Sequence, residues 1–203
     1  MTETNDRVTG AILAVGSLAS MLVMAHHPSD PHQMVLGQAV HGAMITIVGV
    51  MALGLVQFAR RLGLDRLTVL AGLIAYGIAV FGDIGAATIN GFVVTNLVAH
   101  KVDDHAMYAL VWEASQALAR LGVVATGVAF LLWSIALVTR SDRVGRALGG
   151  FGILAGLVPM ILLATGVLSM NLHGAIPIYA GQALWMVLVG LYLWSGRLTK
   201  AQD

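Results

Sequence analysis

Histidine and carboxylate side chains are the groups in this sequence that are best suited to bind a metal ion. The imidazole ring binds Zn, Cu and Fe, and a carboxylate completes many catalytic zinc sites. The candidate ligands are His26, His27, His41, Asp83 and His173. Their spacing matches neither HExxH nor HxxxH, and two adjacent histidines cannot point the same way on a helix. These residue types therefore predict a zinc or other divalent-metal site with an open water position, without a known signature.

A b-type haem is the second cofactor that the histidines suggest. Two histidines on facing helices at one depth can ligate the iron, and a basic side chain can pair with the propionates. His27, or its neighbour His26, would act with His41, and Arg120 is expected nearby. The chain has no cysteine, which excludes covalent CxxCH haem attachment and thiolate metal sites. The alternative for His41 is a hydrogen-bonded histidine at the start of a helix.

Asp83 is the leading candidate for a catalytic carboxylate, because it interrupts a long apolar segment. An ionised carboxylate near the middle of a transmembrane helix costs at least about 2.5–3.5 kcal/mol, so it should face the bundle interior beside a partner. Arg120 is the expected partner, since it is nearly the only cation at that depth. In an enzyme, Asp83 or Glu113 would act as base or ligand, and Arg120 would hold an anionic head group or a developing oxyanion. The alternative is a structural ion pair.

The composition identifies the environment in which these groups must work. Of 203 residues, 58% are hydrophobic and 10% are charged, the mean hydropathy is +0.86 and the net charge is +1. A chain of this size has too little interior to bury so much apolar surface. The composition therefore excludes an ordinary soluble enzyme, a disordered chain and a nucleic-acid-binding protein, and it favours a polytopic membrane protein.

Six apolar segments predict an all-α bundle of six transmembrane helices in a single domain, residues 1–203. The expected spans are 8–26, 38–58, 67–89, 118–139, 147–172 and 176–196. The third and fourth helices are longer than a span requires, so residues 90–117 should form a helical hairpin beyond the outer surface. Arginines cluster between spans two and three, between spans four and five, and after span six. The positive-inside rule then places both termini in the cytoplasm.

Polar groups of five predicted helices fall at a common depth. At a rise of 1.5 Å per residue, these groups lie about 20 to 28 Å from the predicted cytoplasmic end of their helix, which is near the outer edge of the hydrocarbon core. These groups are His26, His41, Asp83, Arg120, Tyr179 and Gln182. All seven histidines also lie on this outer side, and the positive-inside rule does not account for neutral histidine. We therefore expect a polar site that opens toward the periplasm.

The functional hypothesis is an integral protein of the bacterial inner membrane that acts on an amphiphilic or quinone-like substrate. A metal-dependent hydrolase and a b-haem oxidoreductase are the two enzyme classes that fit. The alternatives are an ion-coupled small-molecule transporter that uses Asp83 and a non-catalytic membrane subunit. The expected partners are the lipid bilayer and, in a homo-oligomer or a larger membrane complex, other chains; nucleic acid is not expected.

Overall fold

The protein is helical throughout the residues described by the computed structural model, which are 3–28, 30 and 32–200. The α-helices are α1 (Glu3–Ala25), α2 (Met34–Leu62), α3 (Leu67–Thr88), α4 (Val94–Ala99), α5 (His105–Val138), α6 (Arg143–Ala164), α7 (Leu172–Trp194) and α8 (Arg197–Lys200). A π-helical turn, Ile89–Val93, joins α3 to α4 without interruption. No strand occurs in the described part of the chain, so the all-α prediction is confirmed.

Six helical segments are long and apolar enough to cross a membrane. They are Thr4–Ala25, Met34–Leu62, Leu67–Ala99, His105–Val138, Arg143–Ala164 and Leu172–Trp194. The third and fourth contain 33 and 34 residues, which is well beyond the roughly 20 that a bilayer requires. Each of the six apolar segments thus contains one helical span, but the last two were placed too late in the sequence: α6 ends at Ala164 rather than at residue 172, because the chain turns at Gly166 with a φ of 73°, and α7 begins at Leu172 rather than at residue 176.

Side-chain caps begin three of these helices at the positions where the chain turns. Asp104 accepts hydrogen bonds from the backbone N–H groups of Ala106 and Met107 at the start of α5. Asp142 accepts a hydrogen bond from the N–H group of Gly145 at the start of α6, and Asn171 accepts one from Gly174 at the start of α7. A cap of this kind satisfies donors that the first helical turn leaves unpaired. The polar residues between the apolar segments therefore set where the helices start.

The helices pack in a ring in the order α1, α2, α3, α5, α6, α7, and α7 returns to α1. Pairs of glycines allow close approach where α1 meets α7 and where α3 meets α5. A Cβ atom at Gly190 would lie 2.6 Å from the carbonyl oxygen of Gly10, and one at Gly82 would lie 2.7 Å from the backbone nitrogen of Gly122. Larger residues at these contacts would force the helices apart.

The two ends of the bundle differ in chemistry. The histidine end contains residues 26–28, 30 and 32–33 after α1 and the loops 100–104 and 165–171, and the arginine end contains the loops 63–66 and 139–142. The arginine end is tied together across the chain, because Arg61 Nε donates to Asp6 Oδ1 at 2.8 Å and Gln57 donates to the same atom at 2.7 Å. Asp6 is only 1% exposed.

Large aromatic side chains fill the half of the bundle nearest the arginine end. Phe58, Trp133 and Trp185 are fully buried. The ring of Phe58 contacts both tryptophan rings edge to face. The indole nitrogens donate to the backbone oxygens of Val69 and Leu148. These rings occupy the centre of the bundle in that half, and the large cavity between the helices lies on the other side of them, toward the histidine end.

Candidate functional site

A cavity of about 1340 Å³ lies between the helices and opens at the histidine end. Residues of α1, α2, α3, α5 and α7 form its walls, and the loops of the histidine end form its rim. Its deepest wall residues, Met51, Tyr76 and Met186, border the aromatic core. The polar side chains that face this space are the groups that can act on a bound molecule.

Two histidines meet in the wall of the cavity. The Nε2 atoms of His27 and His41 are 3.1 Å apart, and the ring planes are inclined at 78°. His27 follows the end of α1 and is half-buried, whereas His41 lies in the second turn of α2 and is 3% exposed. The structure thus brings together the two residues that the sequence suggested as haem ligands and as part of a metal site.

Both imidazole rings are anchored through their other nitrogen. His41 Nδ1 is 2.7 Å from the carbonyl oxygen of Gly37, and His27 Nδ1 is 2.9 Å from that of Pro28. A carbonyl oxygen only accepts hydrogen bonds, so Nδ1 must donate in each ring. Burial lowers the pKa of His27 below its ordinary value of 6.5, and the hydrogen bond to Pro28 opposes this effect only in part. The His27 ring is therefore neutral at pH 7.

The π-helical turn provides the space for His41. A Cβ atom at Gly91, inside this turn, would overlap the Cβ atom of His41 and would lie 3.0 Å from its Cγ. Only glycine therefore allows the backbone of the turn to pack directly on the histidine. One-turn π-helices of this kind occur often at functional sites. One turn further on, Thr95 lies beside Gly37 of α2, where a Cβ atom at Gly37 would be in ordinary contact at 3.4 Å from Thr95 Cγ2.

Asp83 lies deeper in the cavity and is held by a tyrosine. Tyr179 Oη on α7 donates a hydrogen bond of 3.2 Å to Asp83 Oδ1 on α3. A Cβ atom at Gly122 would overlap this carboxylate, so a small residue on α5 is needed to accommodate it. Asp83 also lines the cavity, where a bound molecule can reach it.

The expected pair of Asp83 and Arg120 is not formed. Arg120 is exposed on the outside of α5, since the face of that helix that meets α3 contains Leu118 and Gly122. Counting residues along α5 placed Arg120 at about the right depth but could not determine which way it points. The same count places Tyr179 at the depth of Asp83, but nothing in the sequence favours a tyrosine over a cation as the partner of a carboxylate. The hydrogen bond from Tyr179 to Asp83 was therefore not predicted.

The other candidate residues are only partly brought together. Glu113 is exposed on the outside of α5, and His26 is exposed at the end of α1 with its Nδ1 bonded to Leu22 O at 2.8 Å. His173 is exposed at the rim of the cavity. Within the described residues, no group of three or more histidine, aspartate or glutamate side chains is arranged to hold a metal ion. The protein thus provides a two-histidine cluster and a separate carboxylate.

The methionines of the cavity wall were not singled out as functional residues from the sequence. Those that contact the cavity are Met21, Met24, Met44, Met51, Met170 and Met186. Flexible thioether side chains are common on surfaces that adapt to apolar ligands. No signal in the sequence separates them from methionines that face lipid, because both lie in apolar helices.

These features are compatible with an integral, multi-pass membrane protein that encloses a large cavity between its helices. No family model, curated protein or solved structure matches the chain.

Proposed function

We propose that the protein is a multi-pass protein of the bacterial cytoplasmic membrane that binds an amphiphilic or quinone-like molecule in its cavity. The observation that carries this proposal is the cavity itself, about 1340 Å³ in volume and closed at one end by the aromatic core. Pockets for drug-sized ligands usually measure about 300–1,000 Å³, so this one can hold a longer molecule.

The shape of the cavity supports a ligand with a long apolar part. Its wall on α5 runs from Tyr108 to Thr126. At 1.5 Å per residue this corresponds to about 27 Å, which is comparable to the thickness of a hydrocarbon core. The methionines named above contribute adaptable apolar surface along the same length, as expected for a flexible alkyl or isoprenoid chain.

The polar side chains of the cavity determine which end of a bound amphiphile faces the opening. His27 and His41 lie toward the open end, while Asp83 and Tyr179 lie deeper along the wall. A polar head group near the histidines would leave the tail in the apolar part, and a hydroxyl or carbonyl group along the molecule could bond to Asp83 or Tyr179. Amphiphiles and quinones with an apolar tail both have this distribution of polarity.

Binding from one face is favoured over a transport pathway. Phe58, Trp133 and Trp185 are fully buried in the bundle between the cavity and the arginine end. A transporter with Asp83 as its coupling group would need these rings to move. The clustering of arginines at the opposite end supports an orientation with the histidine end toward the periplasm.

Haem is the less favourable cofactor for the two histidines. Trans axial ligands with metal–nitrogen bonds of about 2.0 Å would be about 4 Å apart, with the porphyrin between them. His27 Nε2 and His41 Nε2 are 3.1 Å apart. Both rings would have to separate before a haem could enter, and Arg120 is not beside them to pair with a propionate.

Photo-crosslinking tests the proposal. The protein in detergent is incubated with a fatty acid that carries a diazirine near the end of its chain, and the labelled residues are identified by mass spectrometry. We expect labelling of cavity residues such as Met44 and Met186. Ala180→Phe, which fills part of the cavity, should reduce this labelling, whereas Leu188→Phe on the outer face of α7 should not.

Competition identifies the class of ligand. A short-chain quinone that displaces the fatty acid from the cavity residues would favour a quinone-like substrate, and displacement by phospholipid alone would favour a lipid. Labelling that is confined to lipid-facing residues such as Leu184, and that is unchanged by Ala180→Phe, would refute the proposed function.

A further inference from the structure

We propose that His27 and His41 bind one divalent ion of the late first-row transition metals through their Nε2 atoms, at the open part of the cavity. This inference goes beyond the binding of an amphiphile and does not depend on it, because the two rings are positioned by the protein alone. It depends on three observations: the positions of the ring hydrogens, the distance between the nitrogens, and the anchoring of both rings.

The hydrogen bonds determine which nitrogen of each ring carries a hydrogen. Nδ1 of His27 and Nδ1 of His41 each bond to a backbone carbonyl oxygen, at 2.9 and 2.7 Å. Since a carbonyl cannot donate, each ring carries a hydrogen on Nδ1, and in the neutral form of the ring this is its only N–H group. Both Nε2 atoms therefore have a free lone pair, and these two atoms are 3.1 Å apart. Two lone pairs at this distance repel each other unless a cation lies between them.

The distance between the two nitrogens suits a metal ion in cis coordination. Zinc–imidazole bonds measure about 2.0–2.1 Å, and two such bonds to atoms 3.1 Å apart enclose an angle of about 100°. This angle lies between those of square-planar and tetrahedral sites, which Cu²⁺ and Zn²⁺ prefer. Two ligands leave further coordination positions open to water or to a polar group of a molecule in the cavity.

The anchoring of the rings also resembles that of metal-binding histidines. Such histidines usually donate their second N–H to a carbonyl or carboxylate, which fixes the tautomer and the orientation of the ring. His41 is further held by the close contact with Gly91. Neither ring therefore needs to reorient for the two lone pairs to converge.

Two other histidines serve as matched controls. His26 and His100 also place Nδ1 against a backbone oxygen four residues earlier, both at 2.8 Å. Both side chains are exposed, and in the described part of the chain neither Nε2 atom meets another imidazole. These two residues reproduce the anchored ring but not the pair, so they separate binding by the pair from binding by any surface histidine.

The test is a metal titration of the full chain, purified without a histidine tag. Cu²⁺ binding is followed by electron paramagnetic resonance, which reports the number of coordinated nitrogens, and Zn²⁺ binding by calorimetry. We expect one tight site per chain with two nitrogen ligands. Loss of a group that only hydrogen-bonds to a metal ligand weakens a metal site about 10–100-fold, so His27→Ala and His41→Ala, which remove a ligand itself, should each weaken binding at least about tenfold. His26→Ala and His100→Ala should leave the affinity unchanged.

Several results would overturn the inference. One is a stoichiometry and affinity that stay the same in His27→Ala, a loop variant whose folding is checked by size-exclusion chromatography. Another is equal losses in His26→Ala and His27→Ala. A third is uptake of a proton by the pair, seen in the ¹⁵N chemical shifts of Nε2, with no tight metal binding. Crosslinking of the fatty acid in metal-free His27→Ala tests the cavity separately, so the two proposals can fail independently.

Discussion

Replacing Gly91 by alanine tests whether the π-helical turn holds His41 in place. The new methyl group would overlap the Cβ atom of His41 and lie 3.0 Å from its Cγ, so the ring or the helix must shift. Overpacking of this kind costs about 1–3 kcal/mol. The helical preference of alanine over glycine returns about 0.5–1 kcal/mol. We therefore expect a change between nearly neutral and about 2.5 kcal/mol less stable.

Gly77→Ala is the matched control on the same helical path. A Cβ atom at Gly77 has no heavy atom within 4 Å, so this variant gains the helical preference without the overlap. It should be about 0.5–1 kcal/mol more stable than the wild type. The free energy of unfolding of the two variants should therefore differ by about 1–3 kcal/mol, which is the cost of overpacking. Reversible unfolding in mixed detergent and SDS micelles measures this difference.

The same two variants connect the packing of the turn to the histidine pair. A displaced His41 ring no longer aligns its Nε2 atom with that of His27, so Gly91→Ala should weaken Cu²⁺ binding at least about tenfold. Gly77→Ala should leave it unchanged. Equal stability and equal metal affinity of the two variants would refute the argument that Gly91 positions the pair.

Three further predictions concern contacts elsewhere in the bundle. Tyr179→Phe removes the hydrogen bond to Asp83 and should cost about 1–3 kcal/mol of unfolding free energy, measured in mixed micelles. Gly190→Ala brings a methyl group 2.6 Å from the carbonyl oxygen of Gly10 and should cost about 1–3 kcal/mol through overpacking, measured by the same assay. Asp142→Ala removes the cap of α6 and should cost about 0.5–2 kcal/mol at pH 7, measured by thermal unfolding.

The pH dependence provides a second test of Asp142. Burial alone would raise the pKa of this carboxyl, but hydrogen bonds from Gly145, Tyr192 and Arg140 outweigh that effect and lower it below 3.8. Its contribution to stability is therefore present above pH 3.8 and is lost as the pH falls through the lower pKa of the folded state. The difference between Asp142→Ala and the wild type should shrink below pH 3.8; an unchanged difference there would contradict this account.

Internal controls on α7 and α5 complete these tests. Gly181→Ala, where no heavy atom lies within 4 Å, should be slightly stabilising on the helix in which Gly190→Ala is destabilising. Tyr108→Phe changes the same chemical group without touching Asp83 and should have little effect. If Tyr179→Phe and Tyr108→Phe are equally stable, the hydrogen bond to Asp83 does not contribute as described.

The sequence predicted which residues lie toward one end of the bundle, but it predicted neither their relative depth nor the direction of their side chains. His41, Asp83 and Tyr179 were expected at a common level; they line one cavity, but His41 packs on Gly91, eight residues beyond Asp83 on the same helical path and so about 12 Å nearer the open end. Arg120 was expected at that level as well, yet it faces outward. Each residue along a helix rises only about 1.5 Å but turns the side chain by about 100°, so residues at nearly the same depth can point in opposite directions.

Some contacts depended on the irregular parts of the structure. The meeting of His27 and His41 requires a loop residue beyond the end of α1 and a π-helical turn that lets Gly91 pack on α2. Neither feature follows from apolar periodicity, which treats each helix as regular. The pairing of two specific histidines among seven was therefore decided by packing.

The amino-acid sequence by itself determined the environment of this protein and its six helices, because apolar backbone in a bilayer must satisfy its own hydrogen bonds within each segment. Only the tertiary structure decided which side chains share the cavity. That choice depends on contacts such as Gly82 with Gly122 and Gly91 with His41, where the absence of a side chain on one helix positions a functional group on the next. Such contacts join residues far apart in the chain, and no local pattern encodes them.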